Sequence, residues 1–215
     1  MENKHSPGRA GTQQAIYILI ILLGVSSICF SFLDGVKTPD RAIEHDSSAL
    51  GKDSIASKEA FLQAYTVLLS PRCMNCHPSG NIPLQGNDSH LHTQGVTRGP
   101  DGRGMYAMKC ANCHQPENTP GIHMPPGGPD WALPPAGMKM VFQGRTPRQL
   151  ARQLLNPSQN GGRTRGQLIR HITSNKLVLW AWNPGAGRTL PPLSHEVFAK
   201  EFTRWIDLGA YLPDK

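Results

Sequence analysis

A chain of 215 residues has room for one ordinary domain or two very small ones, which excludes a large multidomain enzyme. Apolar residues make up 38%, and 19 prolines with 22 glycines require many turns and few long core elements. The formal net charge is +7, but no recognisable nucleic-acid module accompanies it, so no nucleic acid partner is expected.

Residues 15–33, AIYILIILLGVSSICFSFL, carry no charge and follow Lys4 and Arg9. Length and flanking charge predict a membrane anchor with its N-terminus in the cytoplasm and the bulk of the chain on the periplasmic side. A cleaved export signal is the alternative, although no clean small-x-small site follows the run. Cys29 is expected to be a membrane-buried thiol, because Ile28 before it does not suit lipidation. Residues 34–57 mix charges, Ser and Gly without a sustained period and predict a flexible tether. The folded domain is expected over 58–215.

Within that domain, Ala60, Phe61, Ala64, Val67 and Leu68 share one helical face, and Pro71 ends the helix. Residues 78–103 read as irregular, 102–109 as a short helix leading into Cys110, and 121–139 as extended or turning because of their prolines. Thr146-Pro-Arg-Gln149 and Thr164-Arg-Gly-Gln167 have capping-box spacing and open two helices, ending before Pro157 and near residue 174. Ser194 caps a third, with Phe198, Phe202, Trp205 and Ile206 on one face and Gly209 as its stop. Nothing reads as a β-sheet. The expected fold class is mostly α, small and loop-rich.

Four of the five cysteines lie in two copies of Cys-x-x-Cys-His, CMNCH at 73–77 and CANCH at 110–114. Four chemistries compete for such a pattern. A structural zinc site on Cys73, Cys76, Cys110 and Cys113 leaves both following histidines unexplained. A redox dithiol wants a βαβ setting that the pattern lacks. Paired disulfides satisfy the arithmetic but likewise do not need the histidines. Covalent haem uses every residue of each copy: two thioethers to the porphyrin and an axial imidazole. Two accidental matches are negligible in a chain this poor in Cys and His, so two haem c groups are expected, with His77 and His114 as proximal iron ligands.

Distal ligands are less determined. His92 is the first choice for the first haem, with His90 as its alternative on the same loop. For the second haem, Met138 follows a proline-stiffened loop of workable reach, with His171, Met124 and Met140 as alternatives. Trp180 and Trp182 are expected to wall a macrocycle. Between Trp131 and His195 there are nine Lys and Arg and no Asp or Glu. That stretch predicts pairing with haem propionates, a docking face for an acidic redox partner, or both.

Gly102 and Tyr106, ahead of Cys110, resemble the glycine and aromatic of the N-terminal helix of small c-type cytochromes, and FTRWIDLGAYL resembles their C-terminal helix, which crosses it. The first motif departs from that pattern, with Tyr65 at the glycine offset and Pro71 intruding. The order CMNCHPSG, DSHLH, RGPDG, MKCANCHQ, MPPGGPDWALPP, NGGRT, LVLWAWNPGAGR and FTRWIDLGA resembles the dihaem cytochromes labelled isoquinoline 1-oxidoreductase subunit. The resemblance implies a c-type cytochrome fold holding two haems, and a periplasmic molybdenum hydroxylase as a redox partner. The expected function is electron transfer from a dehydrogenase or hydroxylase towards the respiratory chain, without catalysis by the chain itself. A dihaem peroxidase-like enzyme or a haem-based sensor is the alternative, and each would need an open iron.

Overall fold

The computed structural model describes residues 47–215, with side chains from residue 53 onward. The expected anchor at 15–33, Cys29 within it and most of the expected tether lie outside the described residues. Helix α1 spans Ser47–Leu68 and buries Ala60, Phe61, Ala64, Val67 and Leu68, the face read from the sequence. It begins inside the stretch expected as a tether. The Ser57 hydroxyl explains why order extends that far: it donates to the Trp205 carbonyl (3.0 Å) and accepts the Tyr211 N–H (3.1 Å), and the residue is fully buried.

Pro71 opens a single turn, α2 (Pro71–Met74), that carries Cys73. The two threonine capping boxes form as spaced. Thr146 Oγ1 accepts from Gln149 N and Gln149 Oε1 accepts from Thr146 N at the start of α3 (Pro147–Leu155). Thr164 and Gln167 repeat the exchange at α4 (Arg165–Ser174). The short α5 (Lys176–Leu179) is capped by Asn175 and passes into a 3₁₀ turn, Trp180–Trp182. Ser194 caps α6 (His195–Asp207), and Gly209, at φ +103°, turns the chain away.

The core lies between α1 and α6, with α3 and α4 completing it. Phe61 meets Trp205 at 4.5 Å between ring centres, Phe202 meets Trp205 edge-on at 5.3 Å, and all three are fully buried. Aromatic burial of this size dominates the stability of so small a core. Buried Asn160 fastens the α3–α4 connection through its amide to the carbonyls of Leu154 and Arg163.

Three expectations are corrected. Residues 102–109 are not a helix: β3 (Gly104–Met105) and β4 (Met108–Lys109) form a two-residue antiparallel hairpin, as do β1 (Leu84–Gln85) and β2 (His90–Leu91). Left-handed backbone at Gly102 (φ +82°), Gly104 (φ +86°) and Tyr106 (φ +49°) is incompatible with a right-handed helix. The helix that the C-terminal helix packs on is therefore α1, ahead of the first motif, and not the segment ahead of the second. Finally, the fold was expected to follow an N-terminal transmembrane segment, yet among the described residues no helix is long and apolar enough to cross a membrane. The fold is corrected to a mostly α small domain, and a membrane-anchored location has no support from the described residues.

Trp205→Ala should lower the unfolding free energy by about 3–5 kcal/mol. Val197→Ala, on the exposed side of the same helix, should change it by less than about 0.5 kcal/mol. Chemical denaturation followed by far-UV circular dichroism measures both.

Candidate functional site

Both histidines of the Cys-x-x-Cys-His copies are held by the same device. His77 Nδ1 lies 2.7 Å from the Met140 carbonyl oxygen, and His114 Nδ1 lies 2.6 Å from that of Pro126. A carbonyl only accepts, so Nδ1 carries the proton in each ring and the Nε2 lone pair is left for a metal. One ring face is covered in each case. Phe142 stacks on His77 at 3.9 Å and 8°, and Trp131 stacks on His114 at 4.6 Å and 8°. Backbone bonds fix the geometry further: Phe142 N donates to the His77 carbonyl, and His114 N to that of Cys110.

Burial pushes the His77 imidazole down to about 4 and lowers that of His114, so both are neutral near pH 7. It also pushes the Cys73 thiol up to about 12 and that of Cys76 to about 11. A redox dithiol requires the opposite, an acidic thiolate, so the direction of these shifts argues against that reading. All four motif cysteines are unbridged. Among the described residues no group of three or more His, Cys, Asp or Glu is placed to hold a metal ion. The zinc site is thereby removed, and so is any iron site built as a cage of protein side chains. The expectation of metal binding is corrected to that extent.

Unneutralised positive charge surrounds the motifs. Arg72 and Arg98 are buried beside Cys76, and among the described residues neither has a carboxylate partner. Arg72 donates to the Gly86 carbonyl and to Asn87 Oδ1, and Arg98 to the carbonyls of Pro134 and Gly80, while the Nε of each is buried without a partner. The charge of Arg188 acts on both Arg72 and His114. Buried guanidiniums without counter-ions are costly, and they suit an anionic group held between these residues. Free Nε2 lone pairs, unreacted thiols and unpaired guanidiniums together fit a flat, anionic macrocycle bearing a metal.

The candidate distal residues fall differently from expectation. The ring that His92 faces is His114, of the second motif, at 6.2 Å between centres and 66° between planes. Its Nδ1 is buried without a partner. His90 is exposed and has both nitrogens engaged, Nδ1 with Asp88 Oδ1 (2.6 Å) and Nε2 with Gln85 Nε2 (3.0 Å). His171, also pushed down to about 4 by burial, is an electrostatic neighbour of His77. Met138 sits in a 3₁₀ turn near the Gly161 loop. Met124 is largely exposed, and its carbonyl accepts from Arg188. Met140 packs against the helical core and gives His77 its carbonyl.

The tryptophans divide. Trp180 meets Trp131 edge-on at 4.7 Å and donates to Asn118 Oδ1, which places it in the wall behind His114. Trp182 packs on His195 and Phe198 and donates to the Leu193 carbonyl, so it belongs to the helical core. Tyr106, which resembles the aromatic of the N-terminal helix of small c-type cytochromes, is 86% exposed at a hairpin turn. Sequence reasoning missed Phe142, Asn118 and the two backbone acceptors. No side-chain pattern announces a carbonyl, but the Met-Pro-Pro-Gly-Gly run around Pro126 did mark a segment of fixed backbone.

Gly127 follows the Pro126 carbonyl so closely that an added Cβ would run into the carbonyl oxygens of Glu117 and Gln115, whereas one at Gly137 would meet nothing within 4 Å. Gly127→Ala should therefore cost about 1–3 kcal/mol by overpacking and Gly137→Ala less than about 0.5 kcal/mol, as read from thermal unfolding. In comparisons with known proteins, no family model, no curated protein and no solved structure matches this chain.

Proposed function

We propose that this chain is a dihaem c-type cytochrome that carries electrons between redox proteins outside the cytoplasm. The observation that carries the reading is the duplicated histidine device. In both Cys-x-x-Cys-His copies Nδ1 is spent on a carbonyl and an aromatic ring covers one face, leaving Nε2 as a ligand of set tautomer. Cys73, Cys76 and His77 would hold one haem, and Cys110, Cys113 and His114 the other. Bound haem iron supplies reversible one-electron chemistry.

The chain's own residues do the rest. The apolar rings of Phe142, Trp131 and Trp180 exclude water from the imidazoles, which favours a small reorganisation on electron transfer. Arg72, Arg98 and Arg188 would pair the propionates, relieving the burial of their own charge. The acid-free stretch between Trp131 and His195 gives an acidic partner an electropositive face. The resemblance to dihaem cytochromes of molybdenum hydroxylases makes such a hydroxylase the first donor to try, with the respiratory chain as eventual acceptor.

One observation favours a second reading, a peroxidase-like enzyme or a haem-based sensor. His92 directly follows a hairpin of only two residues per strand, and an imidazole on so short a ladder can swing aside and open an iron to a small ligand.

Protein produced with a haem-attachment system should gain the mass of two macrocycles and show Soret and α bands. Cys73→Ser/Cys76→Ser and Cys110→Ser/Cys113→Ser should each halve the haem content. Absence of covalent haem from the wild-type protein would end the proposal. Slow or absent carbon monoxide binding by the reduced protein supports the carrier, while rapid binding at one haem supports the second reading.

A further inference from the structure

We propose that the two haem sites are cross-braced: His92, from the hairpin that follows the first motif, closes the second iron opposite His114, and His171 closes the first iron opposite His77. The inference rests on the dihaem reading and deepens it, replacing the ligand order expected from chain proximity.

The spacing of His92 and His114 carries the argument. A metal–imidazole bond of about 2 Å plus roughly 1.1 Å from nitrogen to ring centre, taken on both sides, separates two axial imidazole centres by about 6 Å. The observed separation is 6.2 Å. No hydrogen bond joins the two rings. His114 has spent its Nδ1 on Pro126, and a buried nitrogen of His92 lacks any partner. Two neutral rings held at this distance, their planes turned 66° to each other and with open nitrogens, match a pair waiting on one metal.

The approach of His92 is set by the first motif. Leu84 N donates to the Asn75 carbonyl, the Asn75 and Arg72 side chains both donate to the Gly86 carbonyl, and His92 N donates to the Pro83 carbonyl. The hairpin is thus rooted between Cys73 and Cys76, yet delivers its histidine to the other copy. Since His92 is committed there, the first site needs a different residue. His171 lies on α4 beside Leu168 and Ile172, which share the core with Phe142, the ring stacked on His77. Its ring lines an open cleft with Arg163, Gln167 and Arg170. The rivals lie elsewhere: His90 is engaged with Asp88 and Gln85, Met124 is at the surface, Met140 packs on the helical core, and Met138 sits in the 3₁₀ turn beside Gly161.

The test is electron paramagnetic resonance of the ferric, haem-loaded full chain, with haem counted by pyridine haemochrome. The wild type should give two low-spin bis-imidazole signals. His92→Ala should convert one of the two to high spin, and added imidazole should restore it. Placed in the Cys73→Ser/Cys76→Ser background, His92→Ala should convert the remaining signal. In the Cys110→Ser/Cys113→Ser background it should leave the signal unchanged, while His171→Ala should convert it. Should the alanine variants lose haem, His92→Met serves instead, and one centre should acquire an imidazole–thioether spectrum. Two attached haems that both stay low-spin and unaltered in the His92 variants would overturn the cross-brace alone, as would loss of the first signal on His92→Ala. Absence of haem from the wild type would overturn the function itself.

Discussion

The hydrogen bond from a histidine Nδ1 to a main-chain carbonyl governs this molecule. It occurs twice, at His77 and His114, and in each case determines which nitrogen has a lone pair and which way the ring points. The acceptors lie far along the chain from the first motif and near to the second, at Met140 and Pro126. Long segments of irregular backbone must therefore be held in place for the sake of two acceptors. That requirement accounts for the proline- and glycine-rich run from 121 to 139, which forms no long element but presents carbonyls at fixed positions. The stacked Phe142 and Trp131 complete each arrangement by fixing ring rotation and drying one face.

Around this pair of anchors the molecule divides its labour. The helices build a compact aromatic core from Phe61, Phe198, Phe202 and Trp205, and that core contains neither motif histidine. Cys73 packs against that core, while the rest of the motif-bearing loops depend on hydrogen bonds, with Asn75 and Asn118 each tying loop backbone together. Unpaired buried guanidiniums at Arg72 and Arg98 add a standing electrostatic cost in the same region. A bound anion is the natural remedy. The helical part thus rests on apolar burial, and the motif-bearing part carries the uncompensated charge.

The helices were legible in the sequence because their signals are local. Thr146 and Thr164 announce capping boxes, Ser194 and Gly209 bracket α6, and the apolar spacing of α1 identifies its buried face. The two Cys-x-x-Cys-His copies were equally visible, since they are contiguous patterns. What the sequence did not disclose was long-range. The pairing of His92 with His114, the partnership of α1 with α6 and the carbonyl acceptors are tertiary facts with no local signature. The segment 102–109 shows a different failure: an analogy to a helix outweighed the glycines at 102 and 104, whose left-handed backbone forms a hairpin. Tyr106 was misread with it, and its exposed ring shows that the offset alone did not carry the packing.

The clasp between α1 and α6 has a consequence for the order of assembly. Ser57 is bound to Trp205 and Tyr211, Lys58 pairs with Asp214 at 2.7 Å, and Arg148 donates to the Pro213 carbonyl. The earliest described helix thus remains without its partner until the last residues emerge from synthesis or translocation, and everything between them dangles as an open loop in the meantime. Both cysteine pairs sit in that loop. The thiols of Cys73 and Cys76, half-buried in the folded chain, are most open before the clasp shuts, so the late arrival of the C-terminal helix sets the interval in which they can be reached.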